Sequence, residues 1–382
     1  MNPEQFLHQR FGEYYARNQP PVPSGMERRE WGFGDAVKKI AFRHYAFRTA
    51  DELWHYLARE APLYISYSAA YYKFPAARPM PKKERIGADL VFDLDANELG
   101  VKCTHPADWI CDACLEKSKT ETIRLIEDFL VPDFGLSKEE MQISFSGNRG
   151  YHVRVFSDTV QQLDSGARKE IVDYIAGNGI DFGKFFYVSK EYIPESPSAG
   201  TGARGPTPTD PAWFGRLARS VLETIEGPDA DAKLTAAGIT NAAKRHEIID
   251  HAPEIKRQIA AGRWDAVAGL HHLLTGVAKA KAVALGDRID GGVTGDPAKL
   301  LRLPDSLHGS TGLLAKTVKK MDSFDPLAHT IAFGESPVKV RIKNAPAIRL
   351  RDRVFGPFTD AELELPEAAA IFFVAKGVAQ PC

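Results

Sequence analysis

Alternating apolar and polar positions between Arg85 and Ala96 predict a β-strand with two unlike faces. Asp93 and Asp95 lie two residues apart on this strand and therefore share a face. Two carboxylates on one face repel each other unless water or a positive charge lies beside them. The polar face is therefore predicted to be open to solvent or occupied by something positive. The apolar face comprises Ile86, Ala88, Leu90, Phe92 and Leu94, and the polar face also contains Asp89 and Val91.

Helix start signals occur on both sides of this strand. Asn2 and Pro3 form an N-cap and first-turn pair, which predicts a helix at the beginning of the chain. Residues 101–117 are predicted to form an irregular loop, and Ser118 with Glu121 forms an S-x-x-E capping box that predicts a helix after it. The N-terminal helix is predicted to carry on one side Phe6, Leu7, Phe11 and Tyr14.

A second alternating pattern lies in the stretch QISFSGNRGYHVRVF, which predicts a β-hairpin. Gly147 and Gly150 bracket the predicted turn. The hairpin would place Arg149 and His152 beside that turn, where an arginine fork and an imidazole could meet phosphate oxygens. Taken alone, however, the pattern is more typical of an ordinary hairpin with a surface arginine.

The chain changes character after this mixed first part. Residues 196–212 are rich in Gly, Pro, Ser and Thr and are predicted to form a loop, whereas 213–285 has a helical pattern. Strand and turn signals return from Arg288. The sequence therefore predicts an α/β (α+β) fold in which a helical subdomain is inserted into one domain.

Composition limits the class of protein. The chain has 382 residues, of which 44% are hydrophobic and 26% charged, as in a soluble globular protein. The net charge of -1 gives no global attraction to nucleic acid, so any such contact must come from a local basic patch. No apolar run is long enough to span a bilayer and the first residues lack a signal core, so a cytoplasmic protein is expected.

Three of the four cysteines lie within twelve residues, which indicates a metal site rather than a disulfide framework. The spacing is C-x-H-x5-C-x2-C, and four such ligands in a short loop match a tetrahedral structural zinc site. A redox C-x-x-C pair is the alternative, but it would need only two of these residues. The predicted zinc ligands are Cys103, His105, Cys111 and Cys114.

The D-x-D pair of Asp93 and Asp95 has an established chemistry, because hard cations such as Mg²⁺ and Mn²⁺ prefer carboxylate oxygens. An isolated D-x-D is more typical of a solvated edge strand, but the strictly apolar opposite face favours a functional site. Asp290, Arg302 and His308 follow in a glycine-rich stretch that by itself indicates no particular reaction.

Taken together, these motifs resemble the catalytic small subunit of the archaeo-eukaryotic DNA primases, and the archaeal branch in particular. The resemblance covers most of the chain, and it rests on four motifs in the family's order with the zinc loop between the second and the third. The motifs are RREWGFG, VFDLDA, SGNRGYHV and IDGGVTGDPAKLLRLPDSLHGSTGL.

The resemblance implies a template-directed nucleotidyltransferase, a DNA-directed RNA polymerase of the primase type, that makes short primers of RNA or of DNA for replication. It implies a mixed-sheet primase core at 1–195, with its zinc loop at 101–117, and at 286–382, and an inserted loop and helical subdomain at 196–285. It also implies a primase large subunit as partner, single-stranded DNA as template, and Mg²⁺ or Mn²⁺ as catalytic ions besides zinc.

The resemblance further assigns roles to individual residues. It implies that Asp93, Asp95 and Asp290 form the metal-binding catalytic triad. Glu30 and Arg43 match positions near the nucleotide less closely, and Asn148 departs from a double arginine that eukaryotic members often carry in the hairpin turn. The residues implied to surround the nucleoside triphosphate are Ser146, Arg149, His152, Arg302 and His308.

Three other functions share part of this pattern. A primase-polymerase that works alone in repair or end joining would use the same residues. A zinc-containing nucleic-acid-binding module without catalysis would not need three acids in family positions. A metal-dependent nuclease would use the acids, but it gives no reason for an arginine and histidine set around a triphosphate.

Overall fold

The computed structural model describes residues 1–101, 103–189, 202–264, 273, 276–277 and 291–382. The chain forms two compact units. The first comprises Met1–Arg124, Ser137–Val172 and Arg288–Cys382, and the second comprises Leu125–Leu136 and Asp173–Asp287. The predicted domain ranges 1–195, 196–285 and 286–382 stay a prediction.

A five-stranded antiparallel sheet lies in the first unit. The strands are β1 (Arg29–Gly34), β2 (Phe42–Tyr45), β3 (Tyr64–Tyr72), β4 (Arg85–Ala88) and β10 (Leu300–Arg302). The order of the sheet is β10-β3-β1-β2, and β4 also pairs with β3. Among the described strands, β2 therefore forms an edge of this sheet.

A three-stranded antiparallel sheet in the same unit consists of β5 (Leu90–Asp95), β6 (Met141–Phe145) and β7 (Gly150–Val155). Its order is β5-β7-β6. The predicted hairpin is therefore confirmed, with β6 and β7 as its two strands. The α/β fold class is confirmed as well, since helices accompany several antiparallel sheets in this unit.

The single strand predicted from Arg85 is wrong, because the structure divides it into β4 and β5 at Asp89. β4 pairs with β3 and β5 pairs with β7, so the two halves belong to different sheets. Ile86 is 45% exposed rather than buried. The physical reason lies in Asp89, which is completely buried and paired with two arginines. This ion cluster interrupts the strand, and the alternation of apolar and polar residues does not reveal it.

The N-terminal helix begins as predicted, with Asn2 accepting a hydrogen bond from the backbone N–H of Gln5. Its buried side includes Tyr15, whereas Tyr14 is only partly buried. The predicted capping box is wrong, because the helix Asp112–Arg124 begins six residues before Ser118. Ser118 lies inside that helix, where its hydroxyl donates to the carbonyl of Leu94 and fixes the helix against β5.

The remaining elements of the first unit complete its core. β11 (Pro337–Ala345) pairs with β14 (Phe358–Pro366) and β15 (Ala379–Pro381), and β12 (Ile348–Leu350) pairs with β13 (Arg353–Phe355). One large apolar cluster joins the N-terminal helix to the last helix. Apart from Asp112–Arg124, the α-helices are Pro3–Arg17, Ala50–Glu60, Asp158–Gln161, Ser165–Ala176 (which belongs to the first unit as far as Val172), Gly291–Gly295, Pro326–His329 and Glu367–Ala375.

The second unit is mainly helical in its described part. The helical pattern predicted over 213–285 is present up to residue 260, and most of 265–285 lies outside the described residues. Within the predicted loop, Gly202–Arg204 forms a short strand, β9, that pairs with β8 (Tyr187–Ser189). The described helices are Leu125–Leu130 (a π-helix), Ala212–Ile225, Ala230–Ala236, Ala242–Asp250 and Ala252–Ala260.

Within the described parts of the chain, every helix is too short or too polar to cross a bilayer.

Candidate active site

The two acids of the D-x-D pair lie together on β5, as the sequence predicts. Phe92 and Leu94 are buried on the opposite face of the strand, whereas Asp93 and Asp95 keep 28% and 31% of their side-chain surface exposed. β7 runs antiparallel to β5 and places His152 directly opposite Asp93. This face of the sheet therefore presents two accessible carboxylates.

Each carboxylate has a basic neighbour, at a longer distance than in a tight ion pair. Nε2 of His152 lies 3.5 Å from Oδ1 of Asp93, and Nε of Arg149 lies 3.5 Å from Oδ1 of Asp95. Hydrogen bonds to ionised groups are usually shorter than 3 Å. With 28% and 31% of their side-chain surfaces exposed, both carboxylates are accessible to a ligand such as a divalent cation.

The hairpin turn packs against a segment that lies far away in sequence. Gly147 has φ +82° and sits so close to His308 that an added Cβ would lie 2.7 Å from the His308 Cβ. Thr311 Oγ1 donates to the Gly147 carbonyl at 2.6 Å. Within the turn, Ser146 Oγ accepts the backbone N–H of Gly150 at 3.2 Å. Only glycine suits position 147, because both the conformation and the space exclude a side chain.

Arg302 and His308 meet at the ring of Tyr64. The Arg302 guanidinium lies 4.8 Å from the ring centroid, and the His308 ring stands nearly perpendicular to the Tyr64 ring at 5.3 Å. Nη1 of Arg302 is buried and has no hydrogen-bond partner among the described residues. A buried guanidinium nitrogen without a partner costs free energy, so it favours an anionic ligand at this point.

The histidines of the site are uncharged near neutral pH. Burial, together with the charges of Arg302, Arg154 and Lys39, lowers the pKa of His152 to about 3. Burial likewise lowers the pKa of His308 well below its ordinary value, and Arg302 adds to this effect. Both imidazoles can therefore form hydrogen bonds with a ligand without adding charge.

Two lysines of the site were missed by the sequence patterns. Burial lowers the pKa of Lys39, whose charge interacts with Arg302 and the D-x-D acids. Lys376 follows the last helix, and its ammonium lies 3.3 Å from Oδ1 of Asn148 in the hairpin turn. It therefore supplies a cation beside Asn148 of the hairpin turn. Neither lysine lies in a motif, so no local signal could have identified it.

Glu30 and Arg43 form a separate, tightly paired cluster. Glu30 is buried and accepts hydrogen bonds from Nε and Nη2 of Arg43 at 2.8 and 3.2 Å. His44 and Lys83 also lie within 3.6 Å of this carboxylate. The guanidinium of Arg43 is thus already engaged by Glu30, unlike that of Arg302.

The four predicted zinc ligands come together. Their ligand atoms all lie within 4.8 Å of one another, and the three sulfurs are 3.1 to 3.7 Å apart. Sulfurs around one tetrahedral ion would be separated by about 3.8 Å, so the cluster could hold a metal ion. Nδ1 of His105 contacts the Pro106 carbonyl at 2.8 Å, which leaves Nε2 facing the sulfurs.

The cysteine loop also contacts the residues around the D-x-D pair. The carbonyl of Ala107 accepts a hydrogen bond from Arg149, and the carbonyl of Asp108 accepts one from Lys376. Trp109 anchors the loop, because its indole N–H donates to the Ala347 carbonyl at 3.1 Å and its ring packs on Phe372. The loop thereby fixes two cations of the candidate site.

The structure brings most of the predicted site residues together. Asp93, Asp95, Arg149 and His152 lie on or beside β5 and β7, and the hairpin turn with Ser146 packs against His308. Arg302 reaches the same group through its charge interaction with Asp93. Asp290, the predicted third acid, lies outside the described residues.

Comparison with known proteins shows which family this chain resembles. Residues 92–319 match the family described as DNA primase small subunit. The chain is 33% identical to the DNA primase small subunit PriS of Methanocella arvoryzae, over 98% of this chain and 97% of that protein. It is 35% identical to the protein of the same name from Methanothrix thermoacetophila (98% of each chain) and 32% identical to that from Archaeoglobus fulgidus (97% of each).

Proposed function

Because the chain belongs to the DNA primase small subunit family, we propose that it is the catalytic subunit of a primase that joins nucleotides on a single-stranded DNA template. The observation that carries the proposal is the site itself, in which two accessible carboxylates lie among cationic groups and two neutral imidazoles. A nucleoside triphosphate with its divalent cations has the matching charges. The primase core is assigned to 1–195 and 286–382, with 196–285 as an inserted helical subdomain.

We assign cation binding to Asp93, Asp95 and Asp290. Val293, three residues after Asp290, packs in a buried cluster with Val91, which lies on the same face of β5 as the two acids. The described chain resumes at Gly291, one residue after Asp290, in a helix that packs beside β5, which supports the assignment. When bound, two Mg²⁺ or Mn²⁺ ions would activate the primer 3′-hydroxyl and stabilise the leaving pyrophosphate.

The protein's own residues are assigned to binding and orienting the triphosphate. Arg302 has an unpaired Nη1 for a phosphate oxygen, and Arg149 and Lys376 add positive charge beside the hairpin turn. His152 and His308 are both neutral, so they can form hydrogen bonds with the triphosphate. Without a positive charge, they do not compete with the cations for the acids. Ser146 shapes the turn through its bonds to backbone N–H groups. Together these groups would hold the α-phosphate in line with the attacking hydroxyl.

The test of the activity is synthesis on a single-stranded DNA template with Mg²⁺ or Mn²⁺ and labelled nucleotides. The proposal expects products from the wild-type chain and none from the double variant Asp93→Asn/Asp95→Asn. Glu364→Gln, a change at an exposed acid on β14, serves as the matched control and should leave synthesis intact. Shortening of the template instead of synthesis would indicate a nuclease, and binding without either would indicate a non-catalytic module.

The third acid has its own test. Asp290→Asn removes one charge and keeps the shape of the side chain, so the fold should survive and thermal melting should be close to wild type. Nucleotide incorporation should fall by orders of magnitude, because a cation ligand is lost. A folded Asp290→Asn protein with near wild-type incorporation would show that the third ligand lies elsewhere.

We assign zinc to the cluster of Cys103, His105, Cys111 and Cys114. Elemental analysis of freshly purified protein should find about one zinc per chain. Cys111→Ser should lower both the zinc content and the melting temperature, whereas Cys382→Ser, at an exposed cysteine outside the cluster, should change neither. Protein purified without zinc would contradict this assignment.

The proposed partner is a primase large subunit. The relatives are named as small subunits, which implies a complex. Purification of the chain from its own host should therefore yield a heterodimer on a sizing column. Elution as a single chain at every stage would instead favour a primase-polymerase that works alone in repair or end joining.

A further inference from the structure

Positive charge is concentrated in two segments of the first unit, residues 35–48 and 73–86, which together form a basic face. These segments contain nine lysines and arginines and two acids, whereas the whole chain has 49 basic and 50 acidic residues. Lys38, Arg48, Arg78 and Lys82 are all exposed. Although Lys83 is buried, the nearly neutral protein therefore has a local excess of positive charge here, which attracts a polyanion.

Exposed hydrophobic side chains are frequent in the same two segments. Among the described residues, ten large hydrophobic side chains are strongly exposed, and six of them belong to the basic face. Three of the six are aromatic: Phe42 is 55% exposed, Phe74 48% and Tyr45 36%. Aromatic rings that stand in water beside cations are the features that bind unpaired bases and their phosphates. The other three exposed hydrophobic residues are Val37, Ile40 and Ile86.

The two segments adjoin in space. Nη2 of Arg78 donates to the carbonyl of Arg43 at 3.2 Å, which joins the second segment to β2. Lys83 and Arg43 also share the carboxylate of Glu30, at 3.6 and 2.8 Å. The two segments therefore adjoin along the edge strand β2. Arg43 lies opposite Gly32 of β1, whereas Phe42 and Tyr45 lie opposite Phe33 and Trp31, so these two rings stand on the other side of the edge from Arg43. Because β2 is an edge strand, a polymer that follows it can contact both sides.

This surface leads to the candidate active site. Arg43, Gly32, Ser66 and Arg302 lie directly opposite one another on successive strands, so Arg43 at the sheet edge and Arg302 in the site share a face. Three strand spacings separate them by roughly 14 Å. Ile40 lies over this row, because an added Cβ on Gly32 would be 3.4 Å from its Cγ2.

We propose that the basic face binds the single-stranded DNA template and leads it along the edge strand β2 toward Arg302 and the D-x-D acids, an inference that rests on the proposed function. Lysines and arginines contact the phosphates, while Phe42, Tyr45 and Phe74 stack with unpaired bases. The exposed edge of β2 could also accept a strand from another protein, but the excess of positive charge favours a polyanion over an ordinary peptide.

The experiment measures the binding of a fluorescent oligothymidylate to the full chain by anisotropy, without nucleotides or divalent ions. Phe42→Ala/Phe74→Ala should weaken binding by about tenfold or more for each ring that stacks with a base. Lys38→Ala/Lys82→Ala should reduce the slope of log affinity against log salt by about 0.7 for each lost phosphate contact. Duplex DNA should compete poorly, because its bases are not free to stack on the rings.

The matched control is Val354→Ala/Lys343→Ala, which removes an exposed hydrophobic group and an exposed cation elsewhere on the first unit. Its affinity should equal that of the wild type, and all variants should melt like the wild type. Wild-type affinity and salt slope in both basic-face variants would overturn the proposal.

Parallel synthesis assays separate this proposal from the proposed function. If the wild-type chain makes primers but the basic-face variants bind DNA normally, the template path is wrong and the primase function stands. If the variants lose binding but the wild-type chain makes no product, the surface binds DNA and the proposed activity is wrong.

Discussion

Asp89 and the pair Asp93 and Asp95 belong to one short acidic stretch, yet the structure treats them in opposite ways. Asp89 is completely buried, and its Oδ2 accepts hydrogen bonds from Arg29 and Arg154, each at 2.8 Å. Asp93 and Asp95 are partly exposed, and the basic atoms that flank them lie at 3.5 Å. The first acid is saturated by the protein, while the other two stay accessible to a ligand.

This difference shows that the fold gives chemically identical side chains different roles. Arg29 lies on β1 and Arg154 on β7, so Asp89 ties the five-stranded sheet, which carries Arg302, to the three-stranded sheet, which carries Asp93. The ion cluster therefore sets the distance between the groups assigned to the triphosphate and those assigned to the cations. The buried acid with full partners fixes the two sheets to each other, whereas the partly exposed acids are the ones assigned to cation binding.

The largest effect is expected for Asp93→Asn. Losing a cation ligand should cost several kcal/mol of transition-state stabilisation, which corresponds to roughly a thousandfold lower nucleotide incorporation. The free energy of unfolding should stay the same or rise, because repulsion between Asp93 and Asp95 is relieved. Steady-state incorporation with circular dichroism as the fold control checks this, and a loss of activity that only tracks unfolding would make Asp93 another structural acid.

The opposite behaviour is expected for Asp89→Asn. The change leaves the guanidinium groups of Arg29 and Arg154 buried without a counter-charge, which should lower the free energy of unfolding by about 3–5 kcal/mol. Denaturant unfolding measures this effect. If Asp89→Asn proves as stable as Asp93→Asn, the buried cluster does not hold the two sheets together and the contrast between the acids disappears.

A smaller effect is expected for Arg302→Ala. It removes the buried guanidinium that lacks a partner on Nη1, so nucleotide binding should weaken by about 2 kcal/mol, or roughly thirtyfold in KM. Cation binding by the acids should persist, which isothermal titration with Mn²⁺ can verify. Lys320→Ala, at an exposed lysine, is the control. A normal KM with a reduced kcat would instead show that Arg302 does not contribute to nucleotide binding in the ground state and stabilises only the transition state.

The smallest effect concerns the pH dependence that Lys376 confers. Burial lowers the pKa of Lys376 to about 8, so above that pH the site loses a cation and kcat/KM should fall a few-fold. Lys376→Arg should move this fall to higher pH, because the guanidinium stays charged. Profiles of kcat/KM against pH for the two proteins check this, and identical basic limbs would remove Lys376 from the site.

The lowered pKa of Lys376 affects stability in the opposite direction: activity should fall as the pH rises, whereas the free energy of unfolding should increase. The unfolded chain keeps the ordinary lysine pKa of about 10.4, so between about pH 8 and 10 the unfolded state binds more protons than the folded state. The contribution of Lys376 to the free energy of unfolding should therefore increase as the pH rises through this window. Comparison of denaturant unfolding in the wild type and Lys376→Gln isolates this contribution.

Local signals in the sequence determined a good part of the protein. Alternation placed Asp93 and Asp95 on one face, the glycines marked the hairpin turn, and the cysteine spacing identified four residues whose ligand atoms come together. These features depend on neighbours a few residues apart, so periodicity and spacing report them directly. The order of the motifs along the chain was enough to indicate the family.

Only the tertiary structure decided the roles that depend on partners from distant parts of the chain. Asp89 fits the alternating pattern as well as Asp93 does, and only Arg29 and Arg154, 60 and 65 residues away, make it structural. Ser118 looks like a helix cap, but its hydroxyl bonds to Leu94 instead. Lys376 lies 228 residues from Asn148, and no local pattern predicts their contact. Burial and long-range charge pairing depend on the whole fold, because the free energy of a charge depends on what surrounds it and not on its neighbours in sequence.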